Sequence, residues 1–206
     1  KNMLRRLLQL YIGLVLYGVS TALFVHANLG ADPWDVFHLG VAKQLGISFG
    51  TVIILTGAAV LLLWIPIRQM PGLGTVSNVI VLGLAADATL AVLPPLESMV
   101  ARSALLAGAI VLNAIATGMY IGAGFGPGPR DGLMTGLHAR TGWSLRGIRT
   151  AIELSVLLIG WLLGGKFGVG TVIYALSIGP LIQLCLPWFS QPVSRNAVSP
   201  PREIVS

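Results

Sequence analysis

The sequence predicts an all-α, polytopic membrane protein, and three observations carry that expectation. Of its 206 residues, 55% are hydrophobic and only 10% charged, and mean hydropathy is +0.85; a water-soluble domain exposes more charge than that. Six apolar runs approach the roughly 20 helical residues that a hydrocarbon core of about 30 Å demands. The second half of the chain also repeats the first at a fixed offset of 96 positions.

A short basic start, residues 1–6, precedes the first apolar run, residues 7–27. Val25-His26-Ala27 would pass as a signal-peptide cleavage site. The same run has an internal counterpart that nothing could cleave, so a span is expected. Residues 33–44 read as a short helix, because Pro33 suits the first helical position and Asp35 faces the positive end of the helix dipole. Spans at 47–67 and 74–93 follow, the latter ended by Pro94 and Pro95, which cannot continue a helix. Residues 102–124 form a fourth span and 129–140 a second short helix, opened by Pro129 and Asp131 in the same way. The fifth and sixth spans cover 145–163 and 169–189. From Ser190 the chain is polar and carries Pro192, Pro200 and Pro201, which predicts a disordered tail over 190–206. Residues 1–189 are thus expected to form one membrane domain.

Sliding the chain by 96 positions brings Thr21 onto Thr117, Gly30 onto Gly126, Pro33 onto Pro129, Asp35 onto Asp131, Gly40 onto Gly136 and Gly46-x-Ser48 onto Gly142-x-Ser144. Gly72-Leu-Gly-Thr-Val meets Gly168-Val-Gly-Thr-Val. About 85 pairs align without a gap and roughly twenty are identical, which apolar composition does not produce by chance. The chain therefore reads as two units, about 6–94 and 102–189, each a span, a short helix and two spans.

Topology turns on the short helices. Twelve residues at 1.5 Å each reach roughly 18 Å, well below the apolar thickness. If they do not cross, each unit has three spans and the two units lie inverted; if they cross, eight segments form parallel repeats. The positive-inside rule divides the basic residues equally well either way, so length decides for six spans and an inverted pair. That places both termini on the cytoplasmic side of a bacterial plasma membrane.

Pro33-Trp34-Asp35 together with Gly128-Pro-Arg-Asp-Gly-Leu-Met134, in a chain of this length, resembles the bacterial YczE/YyaS/YitT-type integral membrane proteins. It looks closest to the YczE-like branch, since the soluble C-terminal domain of the YitT branch is absent. The resemblance covers residues 5–189 and implies a multi-pass membrane protein. It brings no substrate and no catalytic residues with it.

Candidate site residues come from polar groups in costly places. Asp35 and Asp131 occupy equivalent helix starts, where carboxylates either cap free N–H groups or build an ion site at a broken helix. Arg130, whose counterpart is Trp34, could hold an anionic substrate group or lipid phosphate. Asp131, Thr135 and His138 share one stripe of the second short helix, suiting a wet cavity or a headgroup surface. Glu153 lies within the fifth span with Arg149 one turn before it, as a local ion pair or as a protonatable site shared with Asp87. Asn78 and Tyr174 occupy equivalent places and add polar groups to spans.

Other chemistries find no foothold. His26, His38 and His138 lack metal-ligand spacing, one cysteine excludes a cysteine cage, and no Walker lysine or Gly-x-Ser-x-Gly occurs. The expectation is no enzyme, no cofactor, no metal and no nucleic-acid partner, the charge of +6 being absorbed by membrane orientation. The function expected is secondary transport of a small solute or ion by alternating access. A membrane scaffold or assembly partner, and a substrate-binding subunit of a larger importer, stay open, as does a homo-oligomer.

Overall fold

The computed structural model describes residues 2–189, so the tail expected over 190–206 lies outside the described residues. Every regular element among them is a helix: α1 (Asn2–Ala27), α2 (Pro33–Leu45), α3 (Phe49–Ile67), α4 (Leu73–Val92), α5 (Met99–Gly122), α6 (Pro129–Thr141), α7 (Leu145–Leu162) and α8 (Val169–Phe189). Five of these, α1, α3, α4, α5 and α8, are long and apolar enough to cross a membrane. The sixth expected span, α7, is not among them: it has 18 residues and carries Arg146, Arg149 and Glu153, three charges within its length. With 13 residues each, α2 and α6 have the lengths of half-helices.

Local chemistry explains most boundaries. Ser48 and Ser144 cap α3 and α7, accepting the N–H of Thr51 and Gly147, both at 3.1 Å. Gly46 and Gly142 end α2 and α6 at φ 65° and 72°, the left-handed conformation that glycine adopts without steric cost. Thr75 and Thr171 tie the starts of α4 and α8, where each hydroxyl accepts the N–H of Gly72 or Gly168. The two Gly-x-Gly-Thr segments thus begin helices.

Helices α1 and α5 pack side by side through the middle of the molecule, with α4 against α1 and α8 against α5. Phe24 of α1 and Tyr174 of α8 meet edge to face at 5.1 Å within this core. Each short helix lies on a long helix from the other half: α2 packs on α7, and α6 on α3. Trp64 of α3, 1% exposed, donates from Nε1 to the carbonyl of Pro129 at 3.0 Å and so fixes the start of α6. The irregular segments before α2 and α6 are also held from the opposite half. Gly74 N–H donates to Phe125 O and Gly170 N–H to Leu29 O, both at 2.8 Å.

The contact of α2 with α7 is close enough to depend on glycine. A Cβ on Gly40 would stand 2.5 Å from the carbonyl oxygen of Gly160, which is backbone and cannot swing aside. Overpacking of this kind costs about 1–3 kcal/mol. Gly40→Ala is therefore expected to lower the melting temperature in detergent by several degrees, at about 2–4 °C per kcal/mol. Gly108→Ala, where an added Cβ meets nothing within 4 Å, should leave it unchanged or raise it.

Candidate functional site

The two short helices bring their N-terminal ends to one place. At the start of α2, Asp32 is the N-cap, accepting the N–H of Asp35 at 2.7 Å, and Pro33 takes the first helical position. At the start of α6, Gly128 stands where the first helix has Asp32, and no side chain caps the helix. From that second start Arg130 reaches across. Its guanidinium donates from Nη1 to Asp32 Oδ2 at 3.5 Å, lies 4.0 Å from Asp35 Oδ1, and sits 4.9 Å above the ring of Trp34. Arg130 and Trp34, aligned by the 96-residue offset, thus stack on one another.

Behind this pair the polar groups are deeply enclosed. Asp35 and His38 are each 1% exposed, and His38 Nδ1 lies 3.3 Å from Asp35 Oδ1. The second carboxylate oxygen of Asp35 finds no hydrogen-bond partner, and neither does the indole N–H of Trp34. α2 is not among the helices long and apolar enough to cross a membrane, and its polar groups are enclosed by protein. Burial raises Asp35 to about 7, against the lowering effect of Arg130. Burial likewise raises Asp32, reinforced by the charge of Asp35. His38 is lowered to about 3, by burial first and then by Arg130, and is neutral.

A cavity of about 110 Å³ opens beside these groups. Asp32, Trp34, His38, Arg130 and Asp131 line it from the short helices, Arg149 and Glu153 from α7, and Asn78 and Tyr174 from α4 and α8. Tyr17 and Tyr120 complete the wall from α1 and α5. Tyr120 OH donates to Asp131 Oδ2 at 3.2 Å, and Arg149 Nε to Glu153 Oε1 at 2.9 Å. Tyr174 OH donates to Asn113 Oδ1 at 3.3 Å, and Asn113 Nδ2 to Ser20 Oγ at 2.9 Å, which anchors the tyrosine to the α1–α5 core.

A family model described as "Family of unknown function (DUF6198)" matches residues 4–187. The chain belongs to that family. It is similar to an uncharacterized protein of Haemophilus influenzae, 38% identical over 177 residues, covering 86% of this chain and 81% of the relative. It is also similar to two proteins of Bacillus subtilis. The uncharacterized membrane protein YczE is 30% identical, covering 86% of this chain and 83% of its own, and the uncharacterized protein YyaS is 23% identical, covering 85% and 90%. The YczE-like resemblance read from the Pro-Trp-Asp and Gly-Pro-Arg-Asp-Gly stretches is thus supported by family and relatives alike, and this family member is a membrane protein. No solved structure matches it.

Of the residues singled out in the sequence, Arg130, Asp131, Glu153, Asn78 and Tyr174 line this cavity, and Asp35 lies just behind it. Thr135 and His138 stand apart from the lining. The Thr135 hydroxyl donates to Asp131 O and Gly132 O of its own helix, and His138 Nδ1 lies 2.6 Å from Trp143 O. Asp87, considered as a partner for Glu153, instead accepts from Ser48 Oγ and from Gly50 N–H, tying α4 to the start of α3. Asp32 was missed, although an acidic residue directly before Pro33 is an N-cap pattern. His38, three residues after Asp35, was passed over for want of a metal partner. Tyr17 and Tyr120 gave no signal, because a tyrosine in an apolar run looks like any other core residue.

Removing Arg130 leaves two enclosed carboxylates unanswered. Breaking one side of such a pair costs about 3–5 kcal/mol, so Arg130→Met should melt well below wild type. The loss should also depend on pH. With its folded pKa raised above the unfolded value, Asp35 favours the native state when protonated, and that stability is lost as pH rises from about 4 through 7. The gap between Arg130→Met and wild type is therefore expected to be wider at pH 8 than at pH 5, as measured by thermal unfolding in detergent.

Proposed function

We propose that this membrane protein is a secondary transporter of a small solute or ion, working by alternating access about the cavity between the starts of α2 and α6. The observation that carries the reading is the charge content of that cavity. Five carboxylate and guanidinium side chains, Asp32, Arg130, Asp131, Arg149 and Glu153, line about 110 Å³ in a chain whose overall charged fraction is 10%. Ionisable groups among apolar helices cost several kcal/mol each unless paired, and their usual purpose is a substrate or ion path.

On this reading the domain of residues 1–189 consists of two inverted units, about 6–94 and 102–189, each with three spans and one half-helix. Matched features 96 positions apart support it. Gly30 and Gly126 share φ values of 110° and 112°, the backbone bonds from Gly74 and Gly170 are equivalent, and each half-helix packs on the other unit. The substrate would meet Asp131, Arg130 and Glu153 first, flanked by Asn78 and Tyr174. Rocking of α1, α4 and their half-helix against α5, α8 and theirs would expose the cavity to one side and then the other. A carboxylate among Asp35, Asp131 and Glu153 would take up and release the coupling proton. Both termini would face the cytoplasm from a bacterial plasma membrane, with lipid around α3, α4 and α8.

The experiment is reconstitution into liposomes with a pH-sensitive dye inside, screening solute classes for solute-driven proton movement. Wild type should give saturable movement with one class. Asp131→Asn should lower the rate by roughly tenfold or more, a barrier change of about 1.4 kcal/mol or above. Absence of movement with every class, together with a stable membrane-protein partner on purification, would instead support a scaffold.

A further inference from the structure

Three carboxylates, Asp32, Asp131 and Glu153, line the cavity against two guanidiniums, Arg130 and Arg149. Arg130 is answered twice, by Asp32 and by Asp35, and Arg149 is answered by Glu153 at 2.9 Å. Asp131 alone among the lining carboxylates has no cation within ion-pair distance among the described residues; its one partner is the neutral hydroxyl of Tyr120. The surplus grows by one more carboxylate when Asp35, behind the lining, is ionised. The sequence suggested Arg130 as an anchor for an anion, but its guanidinium already faces two carboxylates and the face of Trp34.

The walls fit the same sign. Tyr17 and Tyr120 stand edge to face at 6.0 Å, and Tyr174 completes a set of three tyrosines on the lining. Aromatic faces attract cations through the ring quadrupole, by about 0.5–2 kcal/mol depending on desolvation. Arg130 over Trp34 shows that contact in use within this cavity. Size sets the remaining limit: a cavity of about 150 Å³ holds benzene, so about 110 Å³ takes a solute no larger than that.

We infer that the cavity binds a small organic cation, an ammonium compound of a few carbons, with its charge on Asp131 and its carbons against Tyr17, Tyr120 and Tyr174. The inference deepens the transporter reading and rests on it for biological meaning, but binding can be measured without transport. Purified protein in detergent is titrated, at constant ionic strength, with methylammonium, ethylammonium and tetramethylammonium chloride, and separately with sodium acetate and propionate. Thermal unfolding is followed throughout. At least one ammonium salt should raise the melting temperature saturably while the carboxylates do not.

Asp131→Asn should weaken that binding at least roughly tenfold, as expected for a lost charge-assisted contact, and Tyr120→Phe by less. Asp131→Glu, which keeps the charge, guards against a variant that fails to fold and should retain binding. Stabilisation by carboxylates, no shift with any ammonium salt, or equal shifts in wild type and Asp131→Asn would each overturn the inference. Ammonium binding without flux in liposomes would leave it standing and remove the transporter reading. Flux of an anion indifferent to ammonium salts would do the reverse.

Discussion

A guanidinium enclosed among helices is tolerated only where carboxylates answer it, and much of this structure follows from how Arg130 is answered. It sits at the start of α6, while Asp32 and Asp35 sit at the start of α2. Satisfying the one cation therefore requires the two half-helices to meet end to end. Such a meeting is otherwise unfavourable, because both helix starts carry positive dipole ends. Asp32, Asp35 and Asp131 offset those dipoles, and Asp32 also supplies the cap that Gly128 cannot. The price is a set of buried groups left short of partners, above all Asp35 Oδ2 and the Trp34 indole.

The remainder of the fold holds that meeting in place. Neither half-helix is long enough to satisfy its own surroundings, so each leans on a long helix of the other half, through the Gly40–Gly160 approach on one side and Trp64 over Pro129 on the other. The irregular stretches leading into α2 and α6 would leave backbone groups unpaired in an apolar medium. Part of that need is met by Gly74 and Gly170, and part by the Thr75 hydroxyl donating to Pro127 O at 2.7 Å. The α1–α5 pair, joined by the Ser20–Asn113–Tyr174 chain, forms the floor beneath.

The sequence made the helices legible because their signals are local. Pro33, Pro129, Gly46, Gly142, Ser48 and Ser144 mark ends by their own backbone chemistry, and the observed bounds fall within a few residues of the expected ones. The cavity was legible in part, since Asp131, Arg130 and Glu153 declare themselves by being charged in apolar surroundings. What stayed hidden depends on tertiary placement. Nothing in the chain order says that Arg130 turns toward Asp32, that Asp87 serves the start of α3, or that three tyrosines from three helices share one wall. His138 and Thr135 show the converse: a polar stripe at helical spacing can face away from the cavity its neighbour Asp131 lines.

The inverted arrangement of the two half-helices is the claim on which the transport account stands, and their C-terminal ends offer the most direct test. Leu45 and Thr141 are equivalent, exposed positions at those ends. Single cysteines there, in a Cys185→Ser background, can be labelled in intact cells and in inside-out vesicles with a membrane-impermeant maleimide. Half-helices that enter and leave on their own side of an inverted pair place the two cysteines on opposite faces, with Leu45→Cys labelled from outside and Thr141→Cys from within. Labelling of both from the same face would mean that α2 and α6 cross as parallel repeats, and would contradict the account.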